Sequence, residues 1–182
     1  SVGATGNIVM AAATASGVTK IGNAAREPEI VQLCDYLNSM GANIKGIGTS
    51  TLVIEGVDLL RPADIKVIPD RIEAGTFLVA GALLGEITLK NVIPAHLNSM
   101  LSKLSDSGCD IKKTETTVTI SPAKPLKAVD MSTAVYPGFA TDLQAQWIAL
   151  MTLAAGSSIV TDNVYHDRFS HVPELNRFGA NI

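Results

Sequence analysis

Apolar residues recur along this chain with two alternating periods, one helical and one strand-like. From Pro69 the sequence reads PDRIEAGTFLVAGALLG, EITLKN, VIPAHLNSMLSKLSDSG and CDIKKTETTVTI. Residues 74–84 are apolar nearly all round, which predicts a helix buried on every side. Asp70 stands three positions before Glu73, the spacing of a capping box, and Gly85 is placed to stop the helix. Ile87 and Leu89 alternate with Glu86, Thr88 and Lys90, predicting a half-buried strand. Leu97, Met100, Leu101 and Leu104 fall at helical spacing up to Gly108, and Val118 and Ile120 share one face of a closing strand.

The same order is written about three times, and the stretch 70–120 reads as the complete copy. An earlier copy has no opening strand. It predicts an inner helix over 7–16, a stop at Gly17, a strand over 18–21 and then Asn23. A second helix follows from Pro28, a residue favoured at the first helical position, with Ile30, Leu33, Leu37 and Met40 as its stripe. Gly41 ends it, and Leu52, Val53 and Ile54 form the closing strand. A later copy predicts a long helix over 142–155, a stop at Gly156, a strand over 158–161 and a short helix over 173–178. Gly179-Ala180-Asn181-Ile182 repeats Gly41-Ala42-Asn43-Ile44 letter for letter. The paired stop glycines are 24, 23 and 23 residues apart, and the copies recur after 67 and 71 residues. A fixed period of this size marks an array of one supersecondary unit.

Composition narrows the class. The chain has 182 residues, 47% apolar and 17% charged, enough to build a real core. A formal charge of −3 argues against a nucleic-acid partner, and no apolar run reaches a membrane-spanning length of about 20 residues. Two cysteines, Cys34 and Cys109, do not make a disulfide framework and suit a reducing cytoplasm. Cys109 takes the slot of Ala42 and Ala180 and reads as a small buried residue. The chain opens on Ser1 just before a helix and stops at Ile182 as a strand begins. Strands left unpaired there would be open edges, so a piece of a longer protein is expected.

Five stretches carry candidate chemistry. Ser1, Val2 and Gly3, with Ala4 and Thr5, open a helix whose free N–H groups suit an anion, or simply cap it. Arg26 and Glu27 open the second helix of the first copy, where Glu27 and Glu29 complement its positive end. Asp70 is absorbed as a cap, leaving Arg71 for function. In 136–144 (YPGFATDLQ), Pro and Gly break the backbone and Asp142 is expected at a helix mouth. N–H groups there would hold it as an anion able to accept a hydrogen bond from a hydroxyl, or it is a plain cap. In 162–171, Val164 and Arg168 lie in a polar segment with His166 and His171. Arg168 suits a phosphate or carboxylate clamp, or an ion pair with Asp167 or Glu174. The histidine spacing fits no metal-ligand pattern, and no phosphate loop, dinucleotide fingerprint or serine elbow is present, so no metal and no cofactor are expected.

Taken in order, SVGAT with Asn7, AREPEI, PDRIEAGT, YPGFATDLQAQ, HDRFSHVPEL and RFGANI resemble the bacterial UDP-N-acetylglucosamine enolpyruvyl transferases, within the wider enolpyruvyl transferase family. The shikimate-branch members share the repeat but not these loops. The resemblance implies an α/β fold, an inside-out α/β barrel of six βαβαββ units in two domains. Residues 1–68 would be the last unit of one domain and 69–182 about two units of the other. It implies transfer of the enolpyruvyl group of phosphoenolpyruvate to the 3-hydroxyl of UDP-N-acetylglucosamine, the first committed step of peptidoglycan synthesis in the bacterial cytoplasm. Ser1, Val2 and Gly3 would contact the UDP part, and Val164 the nucleotide sugar. Asp142 would bind the reacting hydroxyl and help take its proton. Arg168 would face phosphoenolpyruvate, while Asp70, Arg71 and Glu27 would organise closure.

Two departures bear on activity. Gly6 stands where the family commonly carries Glu. The family's catalytic Cys loop, an N-terminal Lys and a C-terminal Asp–Arg pair have no counterpart in these residues, so the 182-residue chain alone is expected to be inactive. Two other readings compete: a shikimate-type enzyme on the same repeat, and a non-catalytic module that self-associates through open sheet edges.

Overall fold

The computed structural model describes all 182 residues, Ser1–Ile182, which divide into two compact units, Ser1–Ile68 and Pro69–Ile182. The first unit contains α1 (Val2–Ala12), β1 (Val18–Gly22), α2 (Pro28–Ser39), β2 (Asn43–Lys45) and β3 (Thr51–Glu55). Its sheet has the order β1-β3-β2, with β3 antiparallel to both neighbours. On β3 the alternation Leu52 and Ile54 in, Thr51 and Val53 half out, sets the register. Those two residues and Ile44 bury against Val9, Ala12 and Ala13 of the first helix and Ile30, Cys34 and Leu37 of the second.

The inner helix begins and ends earlier than the expected 7–16. The Ser1 hydroxyl accepts from the Ala4 N–H at 3.2 Å, which starts α1 at Val2. At its other end, tertiary bonds replace helical ones: Val57 N–H donates to Ala13 O and Gly56 N–H to Gly17 O, both at 3.0 Å. A Cβ on Gly56 would lie 1.6 Å from Ala15 O, so only glycine allows the chain to come this close.

The second unit contains α3 (Arg71–Leu84), β4 (Ile87–Lys90), a 3-10 turn (Pro94–Leu97), α4 (Asn98–Asp106), β5 (Asp110–Lys113) and β6 (Thr117–Ser121). It continues with β7 (Met131–Ser132), a 3-10 turn (Thr141–Leu143), α5 (Gln144–Met151), β8 (Val160–Thr161) and α6 (Val172–Arg177). The sheet β4-β6-β5 repeats the antiparallel order of the first unit, and β7 pairs with β8 in parallel. Val118 and Ile120 point into a core that also holds Leu78, Leu104, Trp147 and Leu150. The α/β character that the resemblance implies is observed.

Three expectations need correction. The helix α3 is not buried on every side: Leu78, Val79 and Ala82 are, but Phe77 is 52% and Leu84 87% exposed. No strand precedes α3, so the stretch from Asp70 has the order αβαββ, like the first copy. The third copy does open with a strand, β7. The predicted helix 142–155 is shorter because Ala155 is drawn into a strand-like bridge. Its N–H donates to Leu126 O at 2.8 Å and its carbonyl accepts from Ala128 at 3.1 Å.

The repeat is clearest where each copy's second helix ends. Gly41, Gly108 and Gly179 have φ of 103°, 96° and 95°. The next residue's N–H (Ala42, Cys109, Ala180) returns to the carbonyl of Leu37, Leu104 or Leu175 at 3.0, 3.1 and 3.1 Å, the six-to-one bond of a Schellman stop. In two copies an asparagine ties the helix to the chain six residues on, which in the first copy is β2. Asn38 donates to Ile44 O and accepts from Ile44 N–H, both at 2.9 Å. Asn176 does the same with Ile182, both at 3.3 Å.

Two helical glycines give opposite expectations for one substitution. A Cβ on Gly6 would meet Ile30 and Leu33 methyls at 3.5 and 3.6 Å, ordinary contact, so Gly6→Ala should stabilise by about 0.5–1 kcal/mol. On Gly81 it would sit 2.5 Å from Ile87 and 2.6 Å from the buried Ile120, an overpacking cost of about 1–3 kcal/mol that outweighs the helix gain. Melting of both variants checks this: Gly6→Ala should raise Tm and Gly81→Ala lower it.

Candidate functional site

In the second unit the segments 136–144 and 162–171 converge on one cluster. Asp142 was expected at a helix mouth as a cap. It does lie at one, inside the 3-10 turn Thr141–Leu143 that leads directly into α5, but its side chain caps neither element. Its side chain is 53% exposed and meets Arg168, with Nη1 of the guanidinium 2.7 Å from Asp142 Oδ1. The same nitrogen donates to Thr141 Oγ1 at 3.3 Å. The Arg168 guanidinium also lies 5.5 Å from the Tyr165 ring centroid, and its carbonyl accepts from Gln144 Nε2 at 3.0 Å. Arg168 therefore pairs with neither Asp167 nor Glu174, the partners expected from proximity in sequence. Glu174 is bound by Arg177 at 3.2 Å.

Asp162, one of the polar residues of its segment, had no role assigned from sequence. It is the hub of the cluster. Oδ1 accepts from Thr133 Oγ1 at 2.6 Å and from the Val164 and Tyr165 N–H groups at 2.9 Å each, and Oδ2 accepts from Thr141 Oγ1 at 2.6 Å. The two main-chain bonds form an Asx turn, a signal that Asp followed by a polar loop carries in sequence. The threonine bonds reach 29 and 21 residues back and have no local signature. Burial raises the Asp162 pKa, but the bonds from Thr133, Thr141, Tyr165 and Val164 outweigh it and bring it from 3.8 down to about 2.

The sign of the stability effect follows. A group with a lowered native pKa stabilises the fold above its unfolded pKa and loses that contribution as pH falls through the native one. Asp162 should contribute about 1–2 kcal/mol above pH 4, vanishing towards pH 2, once solvent screening is allowed for. Denaturant unfolding at several pH values checks this. The gap between the protein and Asp162→Asn, which cannot titrate there, should close on acidification.

A hollow of about 540 Å³ opens beside the pair, lined among others by Asp142, Gln146, Arg168, His171 and Phe178. His171 Nε2 and Gln146 Oε1 are buried without a hydrogen-bond partner. Burial lowers the His171 pKa and the Arg168 charge adds to the shift, so the imidazole is neutral near pH 7. Gln146 Nε2 reaches Thr76 of α3 at 3.0 Å. Arg71, at the start of α3, stacks its guanidinium 5.5 Å from the ring centroid of Tyr136 in the Asp142 segment. Asp70 caps the helix, accepting from Ile72 and Glu73 N–H groups at 2.7 and 3.1 Å. Val164 is 44% exposed, on the turn that Asp162 closes.

The remaining candidates, Ser1, Val2, Gly3 and Glu27, lie in the first unit. Ser1 caps α1 and Val2 is 37% exposed. Nothing approaches within 4 Å of a Cβ placed on Gly3, so packing does not explain this glycine. Thr5 Oγ1 accepts from the Ala25 N–H at 3.0 Å, tying the start of α1 to the segment entering α2. Glu27 precedes α2, is 9% exposed, makes no side-chain cap bond, and has Oε2 buried without a partner. Cys34 and Cys109 are both buried and free, and burial, then Asp35, pushes the Cys34 thiol up to about 11.

Chemically, an exposed carboxylate and guanidinium in contact offer an acceptor for a hydroxyl beside a donor fork for an anion. A half-exposed pair of this kind is worth under about 1 kcal/mol, so a ligand can part it. The class of this α/β fold is shown by its likeness to an enolpyruvyl transferase. The crystal structure of the enolpyruvyl transferase NikO from Streptomyces tendae superposes with a TM-score of 0.83 at 28% identity, covering 96% of this chain and 42% of that one.

The chain belongs to the EPSP synthase (3-phosphoshikimate 1-carboxyvinyltransferase) family, which it matches over residues 1–182. It is 55% identical over 183 residues to the UDP-N-acetylglucosamine 1-carboxyvinyltransferase of Chlorobium luteolum, and 56% to that of Chloroherpeton thalassium. In both cases all of this chain is covered but 43% of the relative, so it spans under half their length.

Proposed function

We propose that this chain supplies part of a UDP-N-acetylglucosamine 1-carboxyvinyltransferase, which moves the enolpyruvyl group of phosphoenolpyruvate onto the sugar 3-hydroxyl and releases phosphate. The observation that carries the reading is the contact between Asp142 and Arg168, two residues 26 positions apart that meet at 2.7 Å on an open surface. The identity to relatives bearing that name supports the same choice of sugar nucleotide over shikimate phosphate. In this reading the 1–68 unit is the last repeat of one domain of the whole protein, and 69–182 about two repeats of the other. The reaction belongs to the cytoplasm and to peptidoglycan synthesis.

Each residue then has a task. The sugar 3-oxygen forms a bond to C2 of phosphoenolpyruvate, the bond from C2 to the phosphate oxygen breaks, and the hydroxyl proton must leave. Asp142 accepts a hydrogen bond from that hydroxyl and helps remove its proton. Arg168 stabilises the carboxylate and the departing phosphate with its guanidinium fork. Val164 packs on the nucleotide sugar. Ser1, Val2 and Gly3 offer the start of α1 to the uridine diphosphate, and the open space at Gly3 lets a ligand approach the main chain. Arg71 and Glu27 are further substrate-binding residues in this reading.

The test uses the full-length protein with phosphoenolpyruvate and either UDP-N-acetylglucosamine or shikimate 3-phosphate. Phosphate release with the sugar nucleotide alone is the expected result, with none from the 182-residue polypeptide. Release with shikimate 3-phosphate alone would overturn the reading.

A further inference from the structure

The Asp142–Arg168 contact is held from behind. An ionised carboxylate has no proton to donate, so both threonine hydroxyls facing Asp162 must donate to it. At 2.6 Å the Thr141 hydroxyl hydrogen is committed to Asp162 Oδ2, and only its lone pairs face Arg168. Arg168 Nη1 thus finds two acceptors, Thr141 Oγ1 at 3.3 Å and Asp142 Oδ1 at 2.7 Å. The other oxygen of Asp162 gathers the Val164 and Tyr165 N–H groups and closes the turn leading to Arg168. Thr133, 0% exposed, anchors the arrangement: it donates to Asp162 and accepts from the Asn163 N–H at 2.9 Å. One carboxylate therefore fixes the turn that carries Asp142 and the loop that carries Val164 and Arg168.

We propose that Asp162 is a positioning residue for the Asp142–Arg168 pair, acting through the hydroxyl of Thr141, which it orients as an acceptor for the guanidinium. The proposal rests on the reading above that this pair meets the substrates. Asp162 itself spends its bonds on Thr133, Thr141 and two main-chain N–H groups, so it works one step removed from them. An Asn at 162 can keep the bonds to Oδ1 through its carbonyl oxygen. Its NH₂ would face Thr141 and turn that hydroxyl round, so the turn survives while the orientation of the acceptor does not.

The test compares Asp162→Asn, Thr141→Val, Thr141→Ser and the double variant D162N/T141V in the full-length protein. Misorientation predicts a loss of about 10–100-fold in kcat for D162N and for T141V, with KM for UDP-N-acetylglucosamine moving much less. The double variant should fall no further than either single one, because both break the same link. Thr141→Ser keeps the hydroxyl and should recover most of the rate. Multiplying losses, or D162N with the kcat of the unmodified protein, would overturn the proposal. A second readout needs no turnover: the 15N resonances of the Arg168 guanidinium. Restricted rotation should be visible in the unmodified protein and in T141S, and lost in D162N and T141V. If the unmodified protein does not turn over these substrates, the functional reading fails and the guanidinium signal alone decides on positioning. Restricted rotation surviving in D162N would refute it.

Discussion

In the full-length protein, replacing Asp142 by Asn should lower kcat for enolpyruvyl transfer to UDP-N-acetylglucosamine by about 10²–10⁴-fold, the usual contribution of a positioned acid or base. Asparagine matches aspartate in shape and can still accept a hydrogen bond from a hydroxyl, so KM for the sugar nucleotide should change little. It cannot take a proton. It also removes the charge that holds Arg168 at 2.7 Å. Arg168→Lys should reduce the rate as well, because an ammonium is a point charge and cannot reach Thr141, Asp142 and an anion with one planar fork. Steady-state kinetics separate the cases: a D142N enzyme within about three-fold of the unmodified rate would remove Asp142 from the chemistry.

The largest loss of stability is expected from Trp147→Ala, about 3–5 kcal/mol from the second unit. Trp147 is 0% exposed, and its ring meets Phe139 edge-on, with centroids 5.7 Å apart and planes at 70°. Phe139 lies in the segment that carries Asp142, so the cavity would also loosen the candidate site. Trp147→Phe is the informative control. The indole Nε1–H is buried without an acceptor, so phenylalanine removes an unmet donor while surrendering only part of the volume. The cost of Trp147→Phe should therefore stay near 1 kcal/mol. Calorimetric unfolding of both variants checks this, and a Trp147→Phe loss of about 2–3 kcal/mol would mean that the indole N–H is hydrogen-bonded.

What could be read from sequence was local. The stop glycines Gly41, Gly85, Gly108 and Gly179, the stripe Leu97, Met100, Leu101 and Leu104, and the alternation at Ile87 and Leu89 depend on neighbours within a few residues and stand where expected, whereas Gly17 and Gly156 fall past the ends of α1 and α5 and stop neither. The two misplaced helix ends share one cause. The chain after Ala12 is captured by Gly56 and Val57, and Ala155 by Leu126 and Ala128, partners too distant for any periodicity to reveal. The site divides in the same way. Asp142 and Arg168 could each be singled out, because a carboxylate and an arginine in broken loops are chemically conspicuous. That Asp142 binds Arg168 instead of capping a helix, and that Asp162 lies behind both, depends on contacts spanning 21 to 29 residues.

The asparagine corners at Asn38–Ile44 and Asn176–Ile182 bear on how an array of near-identical units avoids confusion. Each spans six residues, so closing it costs little chain entropy and needs no sheet to be present first. At the first corner the heading of the outgoing strand, β2, is thus set by its own helix. A strand that leaves its corner already aimed has little freedom to stray into a neighbouring unit's sheet, where a look-alike partner would accept it.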